Sequence, residues 1–188
     1  ADIDKNTLNQ AVYLTDSLYE NKNIVVSPLS LNMALGMAAN AATTNALKDL
    51  EGYLGKTLSQ YNKHSLEWMN RSVSDDMLTL ANGVWYKNLY TVNQNFSDAI
   101  TKYYKGEIKP SPLDSTTVYD INKWASDNTE GMIPKVIEKI PKEAAAVLAN
   151  ALLFKGEWTA PFEADCTYNG KFTTASGKKV DAKLMNGE

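Results

Sequence analysis

Apolar residues in the N-terminal part of the chain recur every three to four positions, and that spacing predicts a series of helices. Leu8, Ala11, Val12, Leu18 and Tyr19 lay one amphipathic stripe along the first. Asn23 to Val26 is a short apolar run that predicts a strand, and it leads straight into Ser27-Pro28. Serine as N-cap and proline as first helical residue open a second helix, Leu29 to Ala39. That helix is apolar almost all round and is therefore expected to be buried. Leu47, Leu50 and Leu54 mark a third, which stops at Gly55, a natural residue for the left-handed position past a helix end. Leu58, Tyr61, Ser65 and Met69 mark a fourth.

The period then changes. Met77, Leu78, Leu80, Ala81, Val84 and Trp85 read as a strand, with Asn82-Gly83 inside it. Asn-Gly ordinarily signals a hairpin turn, so the run is either one strand or two. Asn93 or Asn95 caps a helix carrying Phe96, Ala99, Ile100 and Tyr103, which ends at Gly106. Ile108 to Pro110 is a brief strand. Thr116 or Thr117 opens a further helix with Val118, Ile121, Trp124 and Ala125 on one face; it ends before Gly131, and Pro134 prevents its regular continuation.

From Ala146 to Phe162 the chain reads AVLANALLFKGEWTAPF. A near-continuous apolar run of this length reads as a strand buried on both faces, since one solvated face would give alternation. The alanine-rich stretch Ala144 to Ala151 favours helix by propensity alone, and the residues themselves leave the two open. Asn150 is the anomaly, because a buried amide without partners costs roughly 1–3 kcal/mol. Asn169-Gly170, between Tyr168 and Phe172, signals a hairpin; Ser176-Gly177 signals another turn, and Val180 to Met185 a last strand. Helices come first and strands mixed with helices follow, without β-α-β alternation, which indicates an α+β fold.

Composition narrows the chemistry. The 188 residues are 44% hydrophobic, enough for one domain with a sizeable core, and no linker or internal boundary breaks the chain from 1 to 188. A net charge of −3 and the lack of a basic cluster give no electrostatic case for nucleic acid or an anionic membrane surface. No apolar run approaches the roughly 18 residues needed to span a bilayer. The first residues, ADIDKN, carry no signal-peptide pattern. Sequons stand at Asn70-Arg71-Ser72 and Asn95-Phe96-Ser97. The only histidine, His64, falls on a helix position expected to face solvent, and no G-x-S-x-G elbow occurs, so a serine triad is not supported. Cys166 with His64 is the sole thiol dyad the composition allows; one His and one Cys fall short of a structural zinc site. No cofactor motif is present, and no catalytic activity is expected.

Four segments, in order, resemble serpins. NIVVSPLSLNMAL is similar to that family's strand-to-helix junction, TLANGVWY to the second strand of its main sheet, and INKWASDNTEGMIPKVI to the helix lying across the sheet. NALLFKGEWTAPF is similar to the sheet's third strand. Asn40-Ala41-Ala42-Thr43-Thr44 departs from the G-A-x-x-x-T segment usual after the buried helix. The resemblance favours a continuous strand through Asn82-Gly83 and a strand at Ala146, and it ends at VDAKLMNGE, near the middle of a typical serpin. It implies the N-terminal part of a single α+β serpin domain, helices packed on a large central sheet, incomplete without the C-terminal half.

The same resemblance implies a function. Serpins are suicide-substrate inhibitors: the target cleaves a reactive loop, which inserts into the central sheet and traps the acylated protease. The reactive site is absent from this chain. Ser27, Ser30 and Asn150 match the polar latch where the sheet opens, and Trp158 matches the tryptophan where the loop enters. Ser27 is equally explained as a helix N-cap, Ser30 as a hydroxyl bonding back to its own helix, and Trp158 as core. The implied partners are a serine protease, with cysteine proteases as a second target class, and a C-terminal fragment completing the fold. An extracellular or cell-surface location is implied as well. A non-inhibitory carrier, chaperone or interaction protein of the same fold is the alternative.

Overall fold

The computed structural model describes residues 5–20, 22–74 and 77–186. Asn186-Gly187 is a turn signal by sequence, and Gly187 lies outside the described residues. Two compact units emerge, Ala1–Phe154 and Lys155–Glu188.

In the first unit, helices α1 (Lys5–Leu18), α2 (Pro28–Ala39), α3 (Thr44–Leu54) and α4 (Leu58–Ser74) precede strand β1 (Leu78–Lys87). Helix α5 (Gln94–Tyr104), β2 (Glu107–Ser111), α6 (Ser115–Asn128) and β3 (Ala146–Phe154) follow. The sheet order is β2-β1-β3, with β2 parallel and β3 antiparallel to β1. Alternation along the strands sorts two cores onto opposite faces. Leu80 and Val84 of β1, with Leu148 and Leu152 of β3, meet Met33 and Met37 of α2, Met69 of α4 and Ile100 and Tyr104 of α5. Trp85, with Val147, Ala149 and Ala151, meets Ile121, Trp124 and Ala125 of α6.

Asn82-Gly83 makes no turn. Gly83 instead leaves room for the Trp85 indole, whose ring atoms would lie 2.5 and 2.6 Å from a Cβ there. Trp85 then meets Trp124 edge to face, 5.3 Å between centroids. The alanine-rich stretch is strand, because Ala149 and Ala151 are small enough to pass under α6 while Leu148 and Leu152 fill the other side.

Several expectations need correction. Residues 23–26 form no strand among the described residues, and Val25 is 97% exposed. Helix α1 forms, yet its buried residue is Gln10 while Leu8, Val12 and Leu18 stay exposed. Gln10 Nε2 donates to the Tyr53 carbonyl at 3.0 Å, so a hydrogen bond and not the apolar stripe fixes that face. Asp114, not a threonine, caps α6: its carboxylate accepts from the Thr116 and Thr117 N–H groups at 2.9 and 3.4 Å. Hydrogen bonding by the Thr116 hydroxyl is the main cause that lowers its pKa. Strand β3 carries apolar contacts on both faces, but only Ala151 is buried, because β3 is an edge strand among the described residues.

The second unit holds a 3-10 turn (Ala164–Cys166) and a hairpin of β4 (Thr167–Thr173) and β5 (Lys179–Met185). Its turn is at Ser176-Gly177, where Gly177 has φ 78° and Thr174 N–H donates to the Lys178 carbonyl at 2.9 Å. Asn169-Gly170 runs straight through β4 opposite Lys183 and Ala182, correcting the expected hairpin there. Gly170 serves close packing, since a Cβ would stand 2.5 Å from Leu184 Cδ1.

Candidate functional site

A polar chain crosses the sheet between α2 and α5. Ser27 is extended at φ −126°, ψ 97°, and its Oγ accepts from the Ser30 N–H at 3.1 Å, which caps α2 with Pro28 in the first turn. The Ser30 hydroxyl does not bond back into its helix; it donates to Asn150 Oδ1 on β3. Asn150 Nδ2 donates to the Ala81 carbonyl at 3.1 Å and to Asn82 Oδ1 at 2.9 Å. Asn82 Nδ2 in turn donates to the Tyr104 carbonyl at the end of α5, 2.8 Å away, and to Met69 Sδ at 3.3 Å. The donors all run one way, from Ser30 through Asn150 and Asn82 to Tyr104.

Register explains the meeting. Asn82 and Asn150 are direct cross-strand partners and lie on the face that looks toward α2, α4 and α5. Both hydrogens of each amide are used, which removes the cost of placing amides among Met and Leu side chains. Asn82 is 2% exposed and is the residue the sequence reading passed over. Like Asn150 it is an amide inside an apolar strand, but the glycine after it gives the pair the look of a turn.

Tyr104 extends the chain into a second polar cluster. Its hydroxyl donates to Asn62 Oδ1 at 2.8 Å, and Asn40 and Asn62 exchange amide hydrogen bonds at 3.0 and 2.9 Å. Burial pushes the Tyr104 hydroxyl up to about 12. Burial, reinforced by Tyr104, raises Tyr61 as well. Neither phenol is charged near neutrality.

The structure thus brings Ser27, Ser30 and Asn150 together. Trp158 lies in the second unit, 73% exposed and edge to face with Phe162 at 6.2 Å. His64 is half-buried, not solvent-facing: its Nε2 accepts from Trp68 Nε1–H at 3.1 Å, and its ring packs near Tyr61. Cys166 is exposed in the second unit. Among the described residues, no cluster of His, Cys, Asp or Glu could hold a metal ion, and no helix is long and apolar enough to cross a membrane.

An α+β frame with an amide-and-hydroxyl chain through its sheet is one class of protein architecture, and comparison with known proteins identifies the class. The family described as "Serpin (serine protease inhibitor)" matches residues 6–188, and the chain belongs to that family. Serine protease inhibitor 42Dd of Drosophila melanogaster is 28% identical over 191 residues, covering 95% of this chain and 51% of that protein. Putative serpin-Z5 of Oryza sativa subsp. japonica is 32% identical over 174 residues, 87% of this chain and 39% of that one. Tengpin, a thermophilic serpin, matches in its native state with TM-score 0.85 and 32% identity, over 98% of this chain and 50% of that one. The chain therefore spans about half the length, or less, of the relatives it matches.

Proposed function

We propose that this chain forms the sheet-opening half of a serpin-type protease inhibitor. In this reading a reactive loop outside these residues is cleaved by a serine protease, or by a cysteine protease, and the severed loop adds a strand beside β3. The loop-linked acyl-enzyme is then carried away from its working geometry. Ser27, Ser30, Asn150 and Asn82 act as the latch that holds β3 to β1 and α2 until insertion, and Trp158 stands where the loop enters. A polypeptide corresponding to the remaining half of the relatives covers the outer edge of β3 and the exposed apolar residues of α1. Release from the cell would bring the inhibitor to extracellular proteases.

The observation that carries the reading is the Ser30–Asn150–Asn82–Tyr104 chain. Such a chain ties an edge strand to its neighbours through hydrogen bonds that water or a new strand can replace at small net cost, about 0.5–1.5 kcal/mol each. Interlocked large side chains would resist such exchange.

The test is to mix the full-length protein with a panel of serine and cysteine proteases and resolve the products on a denaturing gel. A band at the summed mass that survives denaturation supports the reading. Cleaved protein alone, with every protease, replaces it with the non-inhibitory carrier or interaction role.

A further inference from the structure

A cavity of about 480 Å³ lies between the start of α2, the end of α3 and one face of α4. That size falls in the range of about 300–1,000 Å³ typical of sites for small organic molecules. Leu29, Leu54, Tyr61 and Trp68 give it apolar walls. Asn32 lies on the wall at 6% exposure; its Nδ2 donates to Gln10 Oε1 at 2.6 Å, while its Oδ1 is buried and accepts no hydrogen bond. A buried carbonyl without a donor is unfavourable, and a small shift of the Asn32 side chain toward the cavity would let a bound hydroxyl or N–H recover that cost.

The charged groups lining the cavity are Lys56, Arg71 and Glu67. Arg71 lies over the Trp68 ring, 5.1 Å from its centroid. Glu67 sits 3.9 Å from His64 Nδ1, on the neighbouring turn of α4. Two cations and one carboxylate thus line the cavity, and the cation held on the indole is placed beside an apolar wall.

We propose that this cavity binds a small amphipathic organic anion. Its apolar body lies along Leu29, Leu54, Tyr61 and Trp68, its donor group reaches toward Asn32, and its acidic group meets Arg71 and Lys56. The site uses residues of α2, α3 and α4 and none of the latch residues except Ser27, whose capping hydrogen bond stays in place.

The experiment uses the native full-length protein and two probes of the same shape. Anilinonaphthalene sulfonate carries fused rings, one N–H and an anion; N-phenyl-1-naphthylamine lacks only the anion. Both should bind saturably with one-to-one stoichiometry. Both should shift the indole N–H resonance of Trp68, identified by its loss in Trp68→Phe. Arg71→Gln should weaken the sulfonate about tenfold, the size of one charge-assisted hydrogen bond, and leave the neutral amine within about twofold. Binding that does not saturate, an unmoved Trp68 resonance, or equal losses for the two probes in Arg71→Gln overturns the proposal.

Discussion

Replacing Asn150 by alanine in the full-length protein removes three hydrogen bonds at once. One is accepted from Ser30, and two are donated, to the Ala81 carbonyl at 3.1 Å and to Asn82 Oδ1 at 2.9 Å. The Asn82 carbonyl stays buried and loses its donor, which costs about 1–3 kcal/mol. Ser30 is half-buried and water can reach it, so its share is nearer about 0.5–1 kcal/mol. The backbone pairing of β1 with β3 is untouched, and these losses together come to about 1.5–4 kcal/mol. At about 2.1 cal/mol/K of unfolding entropy per residue, a protein about twice this chain's length loses roughly 1.3 °C per kcal/mol, so the melting temperature should fall by roughly 2–5 °C. If opening breaks the Ser30 contact and keeps the pairing with β1, only the Ser30 share, about 0.5–1 kcal/mol, comes off the opening barrier. Opening then speeds up by about two- to fivefold, since about 1.4 kcal/mol is tenfold in rate. The assay is a thermal melt beside gel filtration during prolonged warming, where premature opening appears as polymer or as an inserted, inactive monomer. A melting temperature within about 1 °C of the parent and a persistent active monomer would refute the latch.

Three further outcomes are expected. Tyr104 has a folded pKa raised to about 12 against about 10 when unfolded, so its stabilisation is complete below pH 10 and is lost as pH rises from there toward 12; alkaline unfolding of Tyr104→Phe should show a shallower slope than the parent. Gly83→Ala should destabilise by about 1–3 kcal/mol, measured by urea titration, because the Trp85 ring must leave its place against Trp124 to admit the methyl group; an unchanged midpoint rejects this account of the Asn-Gly pair. The 188 residues expressed alone should be insoluble or lack cooperative unfolding, since β3 presents an unpaired edge with Phe154 exposed at its end; a soluble monomer with a sharp transition speaks against a companion half.

Long periodic segments were legible from sequence because burial set their pattern. Tyr61, Ser65 and Met69 do face inward on α4, and Ser27-Pro28 does start α2. Glycine misled at Asn169-Gly170 and left Asn82-Gly83 open between strand and turn for one reason: both pairs look like turns, yet at Gly83 and Gly170 the absent side chain makes room for Trp85 and Leu184 across the sheet surface. Local sequence cannot distinguish a glycine chosen for its backbone from one chosen for space. Asn150 was legible as an isolated amide in an apolar run, whereas its partner became visible only with the strand register. The short run Asn23 to Val26 failed because a strand needs a neighbour, and none of the described residues pairs with it.

The arrangement of the Ser30–Asn150–Asn82–Tyr104 chain also explains why polar groups sit where larger apolar side chains would bind more strongly. A buried Leu or Val in place of Asn82 would gain roughly 1.5–3 kcal/mol of hydrophobic stabilisation and would need no partner. The amide pair forgoes this and gains specificity instead. Asn82 opposite Asn150 satisfies every donor only in the observed register, and a one-residue slip of β3 turns Asn150 to the α6 face, away from Ser30. The one-way order of donors adds a second constraint, since breaking the Ser30 contact leaves Asn150 with an unpaired acceptor while Asn82 and Tyr104 keep theirs. Strand β3 can therefore part from α2 before it parts from β1. That order is what the proposed insertion requires, a new strand entering on the side of β3 away from β1 while the pairing with β1 is kept.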